Sequence, residues 1–160
     1  MTENEPIFER ETYRFIRNKV SIDLLTVDNE LSEIPVLIQQ AGECACSAID
    51  ARDKAKDQLE KTESIAATNL RIPISTGEGK SKSRSETQIE SELPQNEFVQ
   101  QAKKAYAQAK LDASLWQNLC DALRTKAASI RTAADLITAG FLTTDFVLNR
   151  RRKDIRALSK

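Results

Sequence analysis

An apolar repeat in the second half of the chain constrains its fold most. Between Phe98 and Ile137, twelve positions follow one another at alternating spacings of four and three residues, and ten of them are apolar. This is the period of a helix that packs one continuous apolar seam against a neighbouring helix. The repeat therefore predicts a long helix from about Asn96 to Ala139, with Gly140 as its stop. The seam positions are Phe98, Ala102, Ala105, Ala109, Asp112, Trp116, Leu119, Leu123, Lys126, Ile130, Ala133 and Ile137.

Polar and aromatic residues at or beside this seam need separate interpretation. Asp112 and Lys126 are polar where the repeat requires apolar side chains. Trp116 stands at a seam position, so it is interpreted as part of the core rather than as an aromatic residue with a function of its own. Tyr106 and Cys120 widen the apolar face, so the helix is expected to touch more than one neighbour.

A second seam of the same period lies earlier in the chain. It predicts a helix from about Pro35 to Arg71, because proline is tolerated in a first helical turn and the residue before Pro73 disfavours the helical conformation. Residues 21–35 are interpreted as a connector with a short helical turn. Small side chains dominate the seam, which lets a partner helix approach closely. The seam positions are Leu37, Ala41, Cys44, Ala48, Ala51, Ala55, Leu59, Thr62 and Ala66.

The two helices together predict an all-α fold, a long antiparallel helical hairpin of the coiled-coil type over residues 34–140. Aromatic residues make up only 5% of the chain, which has four glycines and four prolines, and this composition favours long helices over a sheet. The connection, residues 72–94, is expected to be a basic loop that gains a helical turn at 85–93. Residues 1–33 form a partly flexible N-terminal segment, in which residues 1–20 either dock as a short helix or are disordered. That helix would use Phe8, Tyr13, Phe15 and Ile16.

The connecting loop contains Gly-Glu-Gly-Lys-Ser at positions 77–81, which resembles the end of a nucleotide-binding phosphate loop. Such a loop requires another glycine five residues before Gly79, because its backbone N–H groups must wrap the phosphates. Ile74 stands there instead. A phosphate loop also follows a buried strand and opens a helix, and neither is expected from the flanking sequence. The sequence therefore predicts no nucleotide binding and no ATPase activity.

Positive charge is concentrated in two segments of a chain whose formal net charge is zero. Residues 71–84 sum to +3 and residues 149–160 sum to +5. An anionic polymer would bind at these places, whereas the simpler alternative is a solvated loop and a solubilising tail. The candidate contacts are Arg71, Lys80, Lys82 and Arg84 in the loop, with Arg150, Arg151, Arg152 and Lys153 in the tail as a second set.

The C-terminal segment, residues 141–160, carries too many apolar side chains for a free tail. Thr143 or Thr144 can cap a final helix in it, with Asp145 favourable in the first turn. We expect its apolar residues to bury against another subunit and to hold a homo-oligomer together. The alternative is that they fold back on their own hairpin. The candidate oligomerisation residues are Phe146, Val147, Leu148, Ile155 and Leu158.

The chain has no histidine and only three cysteines, and both facts exclude several kinds of chemistry. Without histidine, the chain lacks His-based acid–base catalysis and most zinc sites. An odd number of cysteines and no signal peptide indicate a reducing compartment, so a cytoplasmic location is expected. Carboxylates are scattered over helix surfaces without a partner base, and no apolar run approaches the roughly 20 residues of a membrane span. We therefore expect no enzyme activity, no cofactor, no metal and no membrane partner.

Three stretches together resemble a known family. They are IDLLTVDNELSEIPVLIQQAG at the start of the first helix, NLRIPISTG just after it, and LDASLWQNLCDALRTKAASIRTAADL in the second helix. In order, spacing and helical character, over roughly residues 20–140, the chain is similar to the phage recombination mediator proteins of the UvsY type. The resemblance implies a small, non-enzymatic, helical oligomer, in the form of a ring, joined through its C-terminal regions. It also implies a role in DNA recombination and DNA repair, in the host-cell cytoplasm if a phage encodes the chain.

The same resemblance implies partners and one contact residue. Members of that family bind single-stranded DNA and help to load a recombinase onto strands coated with single-strand-binding protein. The family's arginine after the first helix falls on Arg71, whereas its lysine falls on Asn69 and its tyrosines on Ile74 and Ser75. One basic contact is therefore kept, one is lost, and aromatic stacking is absent at these positions. Lys80, Lys82 and Arg84 would replace the lost charge.

The leading hypothesis is a single-stranded DNA-binding recombination mediator. The alternative is a structural or scaffolding coiled-coil oligomer, such as a virion or adaptor component, without DNA binding. A scaffold would explain the helices and the apolar tail, and its basic loop would only be solvated.

Overall fold

The computed structural model describes residues 7–23, 26–72, 74–76, 80–82 and 84–141. The fold is all-α, as the apolar repeats predict, and its two long helices pack against each other as a helical hairpin. In chain order the elements are α1 (Arg10–Asn18), α2 (Val27–Arg71), β1 (Ile74–Thr76), β2 (Lys80–Lys82), α3 (Glu86–Glu92), a 3-10 turn (Leu93–Gln95) and α4 (Glu97–Thr138).

The chain divides into two compact units, and both long helices pass through both of them. The terminal unit comprises the described residues up to Ala45 and those from Leu115 onward. The central unit comprises Cys46–Ser114 and therefore contains the connection between α2 and α4. In the terminal unit Glu30 of α2 pairs with Lys126 of α4, and in the central unit Glu63 of α2 pairs with Lys103 of α4.

In the terminal unit, α1 docks on the only tryptophan of the chain. The ring of Tyr13 meets Trp116 edge to face, with centroids 5.3 Å apart, and the indole N–H of Trp116 donates to the carbonyl of Phe8 at 3.3 Å. Both Trp116 and Ile16 are fully buried. Of the two alternatives for the N-terminal segment, the docked short helix is the one observed, and the core position of Trp116 is confirmed.

The first long helix begins at Val27, eight residues before the predicted start at Pro35. Pro35 lies inside the helix, where it removes a backbone hydrogen bond and clashes with the preceding turn, at a cost of about 3 kcal/mol. Val27 and Ile34 form a buried cluster with Ile130, and burying a side chain of this size stabilises by about 1.5–3 kcal/mol. This long-range packing offsets the cost of the proline, so the interpretation of residues 27–34 as a connector is wrong.

Lys126 is one of the two polar residues in the α4 seam, and it is buried. Its side chain binds the connection between α1 and α2. Its ammonium group donates to the carbonyl oxygens of Lys19 and Ser21, the latter at 2.7 Å, and lies 3.2 Å from the carboxylate of Glu30. The other carboxylate oxygen of Glu30 accepts from the backbone N–H of Asp23 at 3.0 Å. A buried charge with these partners is satisfied, and it joins three segments of the terminal unit.

In the central unit the predicted seam of α4 is incomplete. Phe98 is 71% exposed, and its neighbour Val99 is fully buried instead. Asp112 is buried and accepts from the side-chain amide of Gln108 at 2.8 Å. A straight helix drifts by about 20° per heptad relative to a strict seven-residue repeat, so positions far from the middle of a seam turn away from the partner helix. The assignment of Phe98 to the buried seam is therefore wrong.

Candidate nucleic-acid interface

The basic connection in the central unit folds as a two-stranded antiparallel ribbon. Strands β1 and β2 pair in the register Ile74 with Lys82, Ser75 with Ser81, and Thr76 with Lys80. The expectation that no strand precedes the glycines is wrong. Ile74 and Thr76 are β-branched, and Gly77 directly follows Thr76, so a strand followed by a turn is locally favourable.

This ribbon differs from a nucleotide-binding phosphate loop. Such a loop runs from a strand directly into a helix, whose first turn carries the Lys-Ser pair. Here Lys80 and Ser81 belong to a second strand, and the next helix, α3, begins only at Glu86. The position of the Lys-Ser pair in β2 supports the prediction that the chain does not bind nucleotides in this way.

Helix α3 is anchored at the end of the ribbon by a capping box. The backbone N–H of Gln88 donates to the hydroxyl of Ser85 at 3.3 Å, and the backbone N–H of Ser85 donates to the side-chain carbonyl of Gln88 at 3.0 Å. Two backbone donors that a helix start leaves open are thereby satisfied. The helical turn expected at residues 85–93 is confirmed, and the capping box fixes where its acidic side chains stand.

Arg71 lies at the last position of α2 and forms an exposed ion pair with α3. Its Nε and Nη2 atoms donate to the two carboxylate oxygens of Glu86 at 3.2 and 3.3 Å. The two side chains are 57% and 69% exposed, and ion pairs as exposed as this contribute about 0–1 kcal/mol. Arg71 can therefore exchange the carboxylate of Glu86 for a phosphate at little cost in stability.

Arg84, on the other side of the ribbon, is held more firmly. Its Nη1 atom donates to the carbonyl of Leu70 at 3.2 Å, and its Nε atom lies 3.0 Å from a carboxylate oxygen of Glu92. The side chain is only 27% exposed. Because a helix leaves its last carbonyl groups without partners, Arg84 satisfies the C-terminal end of α2 while it binds α3. These contacts favour a positioning role for Arg84 at the base of the ribbon.

The remaining predicted contacts fall into two groups. Lys80 and Lys82 occupy the two ends of strand β2, so the structure brings them together with Arg71 and Arg84 in one segment of the central unit. The second basic set, Arg150, Arg151, Arg152 and Lys153, lies outside the described residues. The oligomerisation residues also lie outside them, so both sets stay predictions from the sequence; these are Phe146, Val147, Leu148, Ile155 and Leu158.

An open groove between α2 and the start of α4 is a feature that the sequence did not predict. It encloses about 530 Å³ in the central unit, and the exposed side chains of Ile65 and Phe98 line it. Ala66 and Ala102 also line it, and side chains this small cannot fill the space between the helices. In the sequence, the alanines at the seam positions are the signal that could have predicted an unfilled space between the helices.

The described residues show no sign of metal or thiol chemistry. No group of three or more His, Cys, Asp or Glu side chains in this part of the chain is arranged to hold a metal ion. Burial raises the pKa of the Cys44 thiol, and Glu9, Glu43 and Cys120 raise it further. A raised pKa disfavours the reactive thiolate. Within the same residues, no helix is long and apolar enough to cross a membrane.

Comparisons with known proteins give no relative from which a function can be taken. No family model matches the chain, and neither a curated protein nor a solved structure is significantly similar to it. The function therefore has to be argued from the ribbon, the groove and the resemblance described above.

Proposed function

We propose that this protein is a non-enzymatic recombination mediator that binds single-stranded DNA and helps to load a recombinase onto strands coated with single-strand-binding protein. The observation that carries the proposal is the basic ribbon. In a chain without net charge, the segment with a charge of +3, residues 71–84, contains a ribbon whose second strand carries Lys80 and Lys82, with Arg71 before the ribbon and Arg84 after it. Binding of single strands without sequence preference requires a positive track along the backbone, and a ribbon of this kind supplies one.

The contacts at the base of the ribbon assign different roles to its cations. Lys80, Lys82 and Arg71 contact phosphates, because Lys80 and Lys82 belong to the ribbon itself and Arg71 pairs with an exposed carboxylate, that of Glu86. Arg84 holds the ribbon through Leu70 and Glu92. Phosphate contacts carry no base information, so this part of the interface is independent of DNA sequence.

A homo-oligomer, in the form of a ring, repeats the ribbon in every subunit. Several weak contacts on one strand raise the overall affinity without any new contact within a subunit. In this proposal the C-terminal segment, residues 141–160, joins the subunits. The protein acts in the cytoplasm, which is the host's cytoplasm if a phage encodes the chain. Deleting that segment should leave a helical protein with fewer subunits, and a native mass that still corresponds to the original number of subunits would contradict this mode of assembly.

The salt dependence of DNA binding tests the proposed function. For a single strand, log affinity falls with log salt at a slope of about −0.7 for each phosphate that is neutralised. The double change Lys80→Ala and Lys82→Ala should weaken binding equally for different sequences and make the slope shallower by about 1.4 if each lysine contacts one phosphate. A matched control is the double change Lys54→Ala and Lys56→Ala, which removes the same charge at the same spacing from exposed positions of α2 in the same unit.

Three outcomes decide between the candidate sites. If the ribbon variant alone loses affinity, the ribbon is the site. If both lysine variants bind like the unchanged protein and replacement of Arg150, Arg151 and Arg152 by alanine abolishes binding, the tail is the site. If the unchanged protein does not bind single-stranded DNA even at low salt, the proposed function is wrong.

The second candidate is a structural or scaffolding oligomer without DNA binding. The specific observation in its favour is the incomplete cover of the α4 seam in the central unit, where Phe98 is 71% exposed and Ala105 is also exposed. A helix of another protein or another subunit would cover such a seam in a coiled coil. This candidate predicts an oligomer whose mass does not change with DNA, so native mass with and without a single strand separates the two functions.

A further inference from the structure

The groove beside Phe98 has the composition of a site for a flat, neutral, partly apolar group. Phe98 is 71% exposed and Ile65 is 62% exposed, and both line the groove. Its volume of about 530 Å³ lies within the range of pockets that hold small organic groups. The lining residues among those the structure describes include no charged side chain. A charged ligand would therefore find no ionic partner in the groove itself.

Side-chain amides surround the exposed ring of Phe98. Gln58 and Asn69 line the groove from α2, and Asn96 and Gln101 line it from the side of α4. An amide carries donors and an acceptor together, which is the pattern that the edges of nucleobases also present. Asn96 uses its oxygen within the protein and Gln101 donates to Glu97 at 3.4 Å, so this pattern applies first to Gln58 and Asn69. The groove thus combines an aromatic surface with neutral hydrogen-bonding groups.

The position of Phe98 is set by a helix cap. The side-chain oxygen of Asn96 accepts from the backbone N–H groups of Phe98 and Val99 at 3.0 and 3.3 Å. Val99 is fully buried, so the first turn of α4 is held on one side by packing and at its start by the cap. The backbone that carries Phe98 is therefore fixed while the ring stays exposed.

The groove and the ribbon adjoin in the same unit. Asn69 lies two residues before Arg71 on α2, which is a rise of about 3 Å along the helix axis. Strand β1 begins three residues after Arg71. The neutral groove therefore lies at the end of α2 from which the basic ribbon starts.

We propose that the groove binds an unstacked base of the single-stranded DNA whose phosphates contact the ribbon, with Phe98 as the stacking surface. This inference rests on the proposed function. Stacking on an aromatic side chain tolerates every base, since each base has a π-face, and it supplies affinity without sequence preference.

Comparison of two oligonucleotides with the same number of phosphates tests this site. A dT oligonucleotide and an abasic oligonucleotide of equal length differ in bases and share the phosphate backbone. The unchanged protein should bind the dT strand more tightly by roughly 5- to 150-fold, the range expected for one stacked base. Phe98→Ala should lose that preference while it keeps the affinity for the abasic strand and the salt slope.

Three further variants separate stacking from other effects. Phe98→Tyr keeps the aromatic ring and should keep the preference, whereas Phe98→Leu keeps apolar volume only and should lose it. Phe15→Ala is the matched control, because Phe15 is a 57% exposed phenylalanine on α1 in the terminal unit. It should bind both strands like the unchanged protein.

The remaining outcomes contradict the base site, the proposed function or both. If the unchanged protein binds both strands equally and still shows the salt slope, the base site is wrong while the proposed function stands. If neither strand binds, the proposed function fails together with the base site. If Phe98→Ala lowers the native mass of the oligomer, the groove is a subunit interface, and the assignment to a base is wrong.

Discussion

The terminal and central units differ in how their helices fill the space between them. In the terminal unit, large side chains occupy the seam, and Trp116, Leu123 and Ile130 are all fully buried. In the central unit the seam is mostly alanine, and its Phe98 is 71% exposed. The seam is therefore well filled in the terminal unit and sparsely filled in the central unit.

This difference indicates that the two units have different roles, with stability supplied by the terminal unit and exposed binding groups by the central unit. A buried large apolar side chain stabilises by about 1.5–3 kcal/mol, and an alanine contributes much less. Stability is therefore concentrated in the terminal unit, together with the satisfied charge of Lys126. The central unit keeps exposed apolar, amide and basic groups near its ribbon, and groups of this kind are available to a partner.

The largest change in the free energy of unfolding is expected at Trp116, in the terminal unit. Trp116→Ala removes the edge-to-face contact with Tyr13 and the hydrogen bond to Phe8, so the free energy of unfolding should fall by about 3–5 kcal/mol. Phe98→Ala removes an exposed ring and should change it by no more than about 0.5 kcal/mol. Urea unfolding followed by far-UV circular dichroism measures both, and equal losses would remove the distinction between the units.

The next effect concerns the buried charge of the terminal unit. Lys126→Met leaves the carboxylate of Glu30 without its cation and the carbonyl of Ser21 without its donor, so unfolding should require about 3 kcal/mol less. The control is Lys19→Met, since Lys19 pairs with Glu33 at 3.2 Å while both side chains are about half exposed. That change should cost less than about 1 kcal/mol. The prediction is wrong if the two variants unfold at the same urea concentration.

The smallest effect lies within the central unit, between Arg71 and Arg84. Arg84→Met removes the donor to the Leu70 carbonyl and the pairing with Glu92, and it should lower the free energy of unfolding by about 1–2 kcal/mol. Arg71→Met should lower it by less than about 1 kcal/mol, because the pair with Glu86 is exposed. Affinity for single-stranded DNA should fall in both variants. Arg71→Met removes a phosphate contact, whereas Arg84→Met loosens the ribbon that carries the lysines. A larger stability loss for Arg71 would reverse the roles assigned here.

Local signals were sufficient to predict much of the fold. The predicted helix from Asn96 to Ala139 is observed at Glu97–Thr138, because its ends carry their own stop signals. Asn96 caps the start, and Gly140 adopts a positive φ of 76° just after the end. The core position of Trp116 followed from the same repeat.

Features that depend on distant residues were not predictable in this way. The early start of α2 at Val27 depends on packing against Ile130, which no local pattern near Pro35 encodes. The polar position of Lys126 was visible in the seam, but its carbonyl partners lie more than a hundred residues away in sequence. The contact of Arg84 with Leu70 depends on the ribbon that brings the two residues together.

Hydrogen–deuterium exchange of the full chain, with and without a single-stranded dT oligonucleotide, tests the division between the units most directly. Bound DNA should slow exchange in peptides that cover the ribbon, residues 74–82, and the first turns of α4, residues 96–102, because DNA contacts there suppress local opening. Peptides from α1 and from residues 116–130 should exchange at unchanged rates. Slower exchange confined to the terminal unit, or none anywhere at a saturating concentration of the strand, would contradict the account.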